Sequence, residues 1–169
     1  HGLGLGRGGG PAGQILHQLA SVAGAGKVSL FTHSEEKLKL AASLGADVTI
    51  NYVTQDFEEE VNGATNGVGA NVILDGIGGE VFEKSIRCLA PYGRLVVYGT
   101  SGRREGNVNH RDLYTTNRTV IGFSRSRTPK GYLDIRGAMK EILSLLEAGS
   151  LRLVVDRIIP MSGIIEAHQ

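Results

Sequence analysis

The stretch "GGGPAGQILHQLASVAGAGKVSLFTH" (Gly8–His33) decides how this chain is read. Seven glycines fall within the first thirteen positions: Gly2, Gly4, Gly6, Gly8, Gly9, Gly10 and Gly13. Gly8, Gly10 and Gly13 fit the spacing G-x-G-x-x-G. A helix-compatible segment follows at once, with Ile15, Leu16, Leu19 and Val22 along one face, and then the strand-like run "KVSLFTH". The pattern has a physical purpose. A diphosphate can reach the free N–H groups and the positive dipole end at a helix N-terminus only where no Cβ holds it off. The last glycine lets the helix pack close to its strand. Pro11 suits the first helical turn, where its missing N–H costs nothing. Gly4, Gly6 and Gly9 share the same spacing, so a flexible glycine-rich tail is the competing reading. The helix and second strand that follow favour binding. A strand should precede the glycines, and "HGLGLG" is poor strand material, so the first strand is expected to be missing.

The alternation continues along the chain. "SEEKLKLAASLG" (Ser34–Gly45) reads as a helix with Ser34 as N-cap, acids in its first turn and glycine at its stop. "DVTINY" is a short strand and "TQDFEEEVNGAT" a modest helix. "ANVILD" is a strand, followed by a helix over "GEVFEKSIRCLA" that Pro91 and Gly93 close. "GRLVVYG" and "RTVIGFS" are strands, "YLDIRGAMKEILSLLEAG" a long amphipathic helix, and "LRLVVDRIIP" an extended piece. Short apolar strands separated by helices imply a parallel sheet covered on both faces. The expected fold class is therefore α/β, a doubly wound, Rossmann-like single domain over residues 1–169. The loop from Gly99 to Asn117 is long enough to expect a functional role.

Composition bounds the partners. The 169 residues suffice for one sizeable core. Formal net charge is +1, which gives no electrostatic case for nucleic acid or an anionic membrane. No apolar run approaches the ~20 residues of a membrane span. No secretory leader is visible, and a cytoplasmic location is expected. The single cysteine, Cys88, excludes an internal disulfide and a cysteine-rich zinc site, and its apolar neighbours make it a core residue. Arg103, Arg104, Arg118, Arg125 and Arg127 read as a solvated face.

These residues resemble a family. "GQILHQLASVAGAGKV", "SEEKLKLAASLGADVTINY", "GVGANVILDGIGGEVFEKSIRCLAPYGRLVVYGTSG", "TVIGF" and the closing "EAHQ" are similar to the cofactor domain of medium-chain dehydrogenases/reductases, in the zinc-independent quinone oxidoreductase branch. The likeness covers nearly the whole chain from about Gly10. Two departures stand out. "LGLGRGGGPAG" replaces a shorter glycine loop, and Pro11 stands where the family has glycine. Family members also carry a catalytic domain ahead of this segment and a last strand after it. The chain is therefore expected to be a fragment without them, holding half of the substrate pocket.

No acid stands at Thr32-His33-Ser34, the end of the second strand, where NAD-selective enzymes bond the ribose 2′-hydroxyl. A 2′-phosphate would be tolerated, and NADPH is the expected cofactor. The resemblance makes Ser34, Lys37 and Tyr52 its phosphate partners. Gly76, Ile77 and Gly78 after "VILD", and Gly99 and Thr100 after "RLVVY", lie at strand carboxyl ends, where ligands sit in open α/β sheets; plain turn glycines are the alternative. The resemblance places Phe123 near the nicotinamide. The full set of expected cofactor contacts is Gly8, Gly10, Pro11, Ala12, Gly13, Thr32, Ser34, Lys37, Tyr52, Gly76, Ile77, Gly78, Gly99, Thr100 and Phe123. No catalytic side chain is nominated, because the cofactor carries the hydride. His33, His110 and His168 lack metal-ligand spacing, so no zinc is expected. The reaction the resemblance implies is NADPH-dependent reduction of a quinone or another α,β-unsaturated carbonyl, in a homodimer paired through "RTVIGFS". An S-adenosylmethionine-dependent methyltransferase-like domain and a non-catalytic cofactor-binding module are the alternatives. A methyltransferase, too, would want an acid at the end of the second strand.

Overall fold

The structure, a computed structural model, describes residues 3–4, 11–155 and 158–167. Its strands are β1 (Leu3–Gly4), β2 (Lys27–Thr32), β3 (Val48–Asn51), β4 (Ala70–Asp75), β5 (Leu89–Val97) and β6 (Thr119–Gly122). Its helices are α1 (Pro11–Val22), α2 (Glu35–Ser43), α3 (Phe57–Ala64), α4 (Gly79–Arg87), α5 (His110–Tyr114), α6 (Ile135–Glu147) and α7 (Ile164–Ala167). Every strand pairing is parallel, in the orders β1-β2-β3 and β4-β5-β6. β1 also lies against β4, so the six strands run β3-β2-β1-β4-β5-β6 in space. That is the doubly wound order, whose direction reverses between β1 and β4. The fold is α/β with parallel strands, as the alternation in the sequence implies.

β1 modifies one expectation. "HGLGLG" is weak strand material, yet Leu3 and Gly4 pair with Lys27 and Val28. Two residues suffice because β2, buried from Val28 to Thr32, offers a ready edge.

The core follows from the strand pattern. Phe31, Ile50, Phe57, Val61, Ile73, Ile86 and Leu95 are buried together, and the rings of Phe31 and Phe57 stand 4.8 Å apart. Burying one such side chain is worth about 1.5–3 kcal/mol. The Arg87 guanidinium also donates to the Glu58 carboxylate, tying α4 to α3, but Arg87 is half-exposed. Such a surface pair contributes about 0–1 kcal/mol, so Phe57 and Val61 seat α3 and the ion pair trims its position. Asp56 caps that helix by accepting from the Glu58 and Glu59 amides, and these bonds hold its carboxyl below the usual range.

The boundary between α4 and β5 differs from the sequence reading. The helix ends at Arg87 instead of running to Ala90, and β5 begins at Leu89. Its register jumps: Ala70 faces Leu89, whereas Val72 faces Arg94. The extra residues form an irregularity that holds Pro91 and Tyr92, the latter at φ 61. Proline is tolerated in a sheet at such a bulge. Cys88 is buried in the core as expected, and desolvation pushes its thiol up to about 12.

α5 lies inside the loop read as irregular; five residues carry no apolar stripe, and the Asn109 side chain caps them by accepting from the Arg111 amide. The described residues of "LRLVVDRIIP" belong to no strand. Its start is anchored instead: Leu151 is buried, and the Gln18 side chain on α1 donates to the Arg152 carbonyl and accepts from its amide. His17, read as surface or packing, is buried on α1, with its ring nitrogens 3.1 Å from the Gly13 and Leu44 carbonyl oxygens.

Candidate cofactor site

The carboxyl ends of the parallel strands share one edge of the sheet, and β4 supplies its most elaborate tip. The strand ends at Asp75, which is 1% exposed. Its carboxylate accepts the Ile77 amide at 2.7 Å and the Gly78 amide at 3.2 Å. Burial raises the Asp75 carboxyl, and the two amide bonds pull in the opposite direction. The turn is then laced to the loop after β5. The Ser101 amide and hydroxyl both donate to the Gly76 carbonyl, and the Gly102 amide donates to the Ile77 carbonyl.

Glycine is required in this turn for packing. A Cβ on Gly76 would come within 2.8 Å of the Tyr98 ring. Gly78, at φ +80, would bring a Cβ within 2.9 Å of the Arg104 carbonyl oxygen. Gly76, Ile77 and Gly78 are all buried. The loop after β5 covers them, so their packing gives these residues a structural reason of their own. Gly99 is half-buried and Thr100 exposed, at the open side of the same edge.

A second cluster forms at the tips of β2 and β3. The side chain of Thr32 is buried, its hydroxyl has no partner among the described residues, and its carbonyl accepts the Tyr52 amide. Thr32 thus ends β2 with its side chain buried at the tip of the strand. His33 is exposed, with Nδ1 at 3.2 Å from the Tyr52 hydroxyl. Ser34 begins α2 as its N-cap residue, but its side chain makes no capping bond. Lys37 is half-buried, and among the described residues no hydrogen bond or ion pair engages its ammonium. Of the two acids in the first turn of α2, Glu35 accepts a bond from the Asn51 side chain on β3 and Glu36 is exposed.

A groove of about 600 Å³ opens between the tips of β5 and β6. Thr100 and Phe123 line it, and Phe123 is 47% exposed, a wall residue and not a core one. The Phe123 amide donates to the Val97 carbonyl, which fixes the ring's backbone at the strand tip. Pro11 opens α1 as expected, with Ala12 exposed and Gly13 buried. Gly8 and Gly10 lie outside the described residues.

At one end of the edge Ser34 opens α2, Lys37 lies on that helix and Tyr52 follows β3, and at the other end Gly99, Thr100 and Phe123 line one groove. The sequence reading missed Asp75 and Ser101. An acid closing an apolar strand ahead of glycine was the visible signal for Asp75; Ser101 gave none. Among the described residues, no group of three or more His, Cys, Asp or Glu is placed to hold a metal ion. Among the same residues, no helix is long and apolar enough to cross a membrane.

Strand order, crossover direction and the open edge at the strand tips define a doubly wound α/β domain of the nucleotide-binding kind. The family model described as zinc-binding dehydrogenase matches residues 11–147. The chain belongs to this family and, within the medium-chain dehydrogenase/reductase superfamily, to the quinone oxidoreductase branch. It is 30% identical over 143 residues to 2-haloacrylate reductase from Burkholderia sp, covering 80% of this chain and 41% of that protein. It is 28% identical over 168 residues to quinone oxidoreductase 1 of Escherichia coli K12, covering 95% of this chain and 50% of that one. The crystal structure of Escherichia coli quinone oxidoreductase complexed with NADPH superimposes with a TM-score of 0.79 at 26% identity, covering 92% of this chain and 48% of that one. The chain thus spans about half the length of these relatives or less. Membership of this family sets aside the methyltransferase reading.

Asp75 gives the site a stability test. Asp75→Ala leaves two buried amides without an acceptor, a loss of about 1–3 kcal/mol by urea denaturation. Asp75→Asn keeps an acceptor and loses less. The native carboxyl is raised above its unfolded value, so the wild type gains stability from this group as pH falls through that native pKa. Asp75→Asn lacks this gain; identical pH profiles for wild type and Asp75→Asn would contradict the assignment.

Proposed function

We propose that this chain is the NADPH-binding domain of an oxidoreductase that reduces a quinone or another α,β-unsaturated carbonyl. The observation that carries the reading is the cluster at the tips of β2 and β3. No acid stands between Thr32 and Ser34, and Glu35 is held by Asn51. The groups on offer are the Ser34 hydroxyl, the half-buried Lys37 ammonium and the Tyr52 hydroxyl. Hydroxyl donors beside a cation suit a phosphate, and the end of β2 offers no carboxylate to accept from a free ribose hydroxyl. The glycines before α1 would take the diphosphate at that helix's N-terminus, with Gly13 permitting the close approach. Gly99, Thr100 and Phe123 would border the nicotinamide. Asp75 and the Gly76–Gly78 turn hold that border in place.

A reduced nicotinamide, when bound, supplies the hydride. The groups of this chain orient it and shield it from water. The substrate class is supported by the quinone oxidoreductase and 2-haloacrylate reductase names of the relatives. We further infer that the enzyme works without zinc, in the cytoplasm, and as a homodimer paired through the edge strand β6, where Ile121 and Phe123 are exposed. Sedimentation should show a dimer that an edge proline, Ile121→Pro, weakens; a monomer at all concentrations would contradict the pairing.

The cofactor choice is tested by fluorescence titration with NADPH and NADH. NADPH should bind more tightly. Lys37→Ala should weaken NADPH by about tenfold, the scale of one charge-assisted bond, and leave NADH unchanged. Equal affinities for the two cofactors would contradict the reading, as would equal losses in the variant.

A further inference from the structure

The groove between the tips of β5 and β6 has one formally charged side chain in its lining, Arg127. The rest of the wall is neutral, with Tyr98, Thr100, Phe123, Ser124 and Thr128 among its residues. Arg127 ends a short 3-10 turn, Arg125–Arg127, directly after β6. Local bonds fix this turn: the Arg127 amide donates to the Ser124 carbonyl at 3.3 Å, and the Thr128 hydroxyl donates to the same carbonyl at 2.7 Å. Two other arginines are held by partners within the fold, whereas Arg127 is exposed in the groove wall. Arg87 pairs with Glu58, and Arg118 donates to the Leu89 and Arg87 carbonyls. Among the described residues, no carboxylate or carbonyl accepts from the Arg127 guanidinium.

A guanidinium without a partner in a groove that holds no acid attracts a carboxylate, which it can grip through two parallel N–H bonds. We propose that the groove takes the anionic end of the substrate: a conjugated carbonyl compound that bears a carboxylate, gripped by Arg127 with the exposed Thr100 hydroxyl on the opposite strand tip. The inference rests on the proposed function in placing the hydride acceptor at this end of the sheet. It adds the acceptor's charge and the residue that selects for it.

The test uses benzoate and its neutral isostere benzamide, titrated calorimetrically into the full-length protein with and without saturating NADP+. Wild type should bind benzoate about tenfold more tightly than benzamide, and added salt should narrow the gap. Arg127→Gln should erase the preference, Arg127→Lys should keep part of it, and Arg125→Gln, outside the groove lining, should keep all of it. NADPH affinity should be unchanged in Arg127→Gln. Equal binding of the two probes, no benzoate binding, or an intact preference in Arg127→Gln would each overturn the proposal. A loss of NADPH affinity in Arg127→Gln would also overturn it, by assigning the arginine to the cofactor. Failure of wild type to bind NADPH, with the benzoate preference intact, would refute the cofactor reading and support the anion site.

Discussion

The buried carboxylate of Asp75 is the constraint on which the open edge of the sheet depends. A charge held at the end of a central strand is costly unless donors meet it, and the Ile77 and Gly78 amides do so. Meeting them folds the chain back tightly after β4. The turn leaves the Gly76 and Ile77 carbonyls facing the loop after β5, which bonds to both. One side chain thereby sets the path of two loops. It also dictates glycine at positions 76 and 78, where a Cβ would strike the Tyr98 ring or the Arg104 backbone.

The two halves of the sheet then divide the work along that edge. The tips of β2 and β3 present hydroxyls and an ammonium, and the tips of β5 and β6 present an aromatic wall with a guanidinium. The strand order reverses between these halves, at β1 and β4, where an open parallel sheet leaves a crevice. Of the two acids that open α2 in the first half, Glu35 is bonded to Asn51 and Glu36 is exposed, and the lining of the second half contains none.

Much of the fold was legible because apolar runs and helix caps are local signals. Ser34 opens α2 as read and the strand "ANVILD" is bounded as read, whereas the helix read from Thr54 begins at Phe57, after its Asp56 cap. The boundary after α4 was not legible. Cys88 and Leu89 satisfy a helical period, and only their pairing opposite Ala70 on β4 recruits them elsewhere. The site was legible in outline, since strand tips follow from the alternation. Its interior was not: the bonds from Ser101 to Gly76 and the approach of Arg104 to Gly78 join residues about 25 positions apart, and composition does not reveal them. Arg127 looked like one of several solvated arginines until β6 placed it beside Phe123.

The central claim is that a dinucleotide lies across this one edge, from the tip of β2 to the tip of β6. Amide chemical-shift mapping of the 17.9 kDa chain during an NADPH titration tests it most directly. The account predicts saturable shifts confined to one band: Gly13, Ser34, Lys37, Tyr52, Thr100 and Phe123. Shifts centred on the opposite, amino-terminal end of the strands, or none at saturating cofactor, would contradict it.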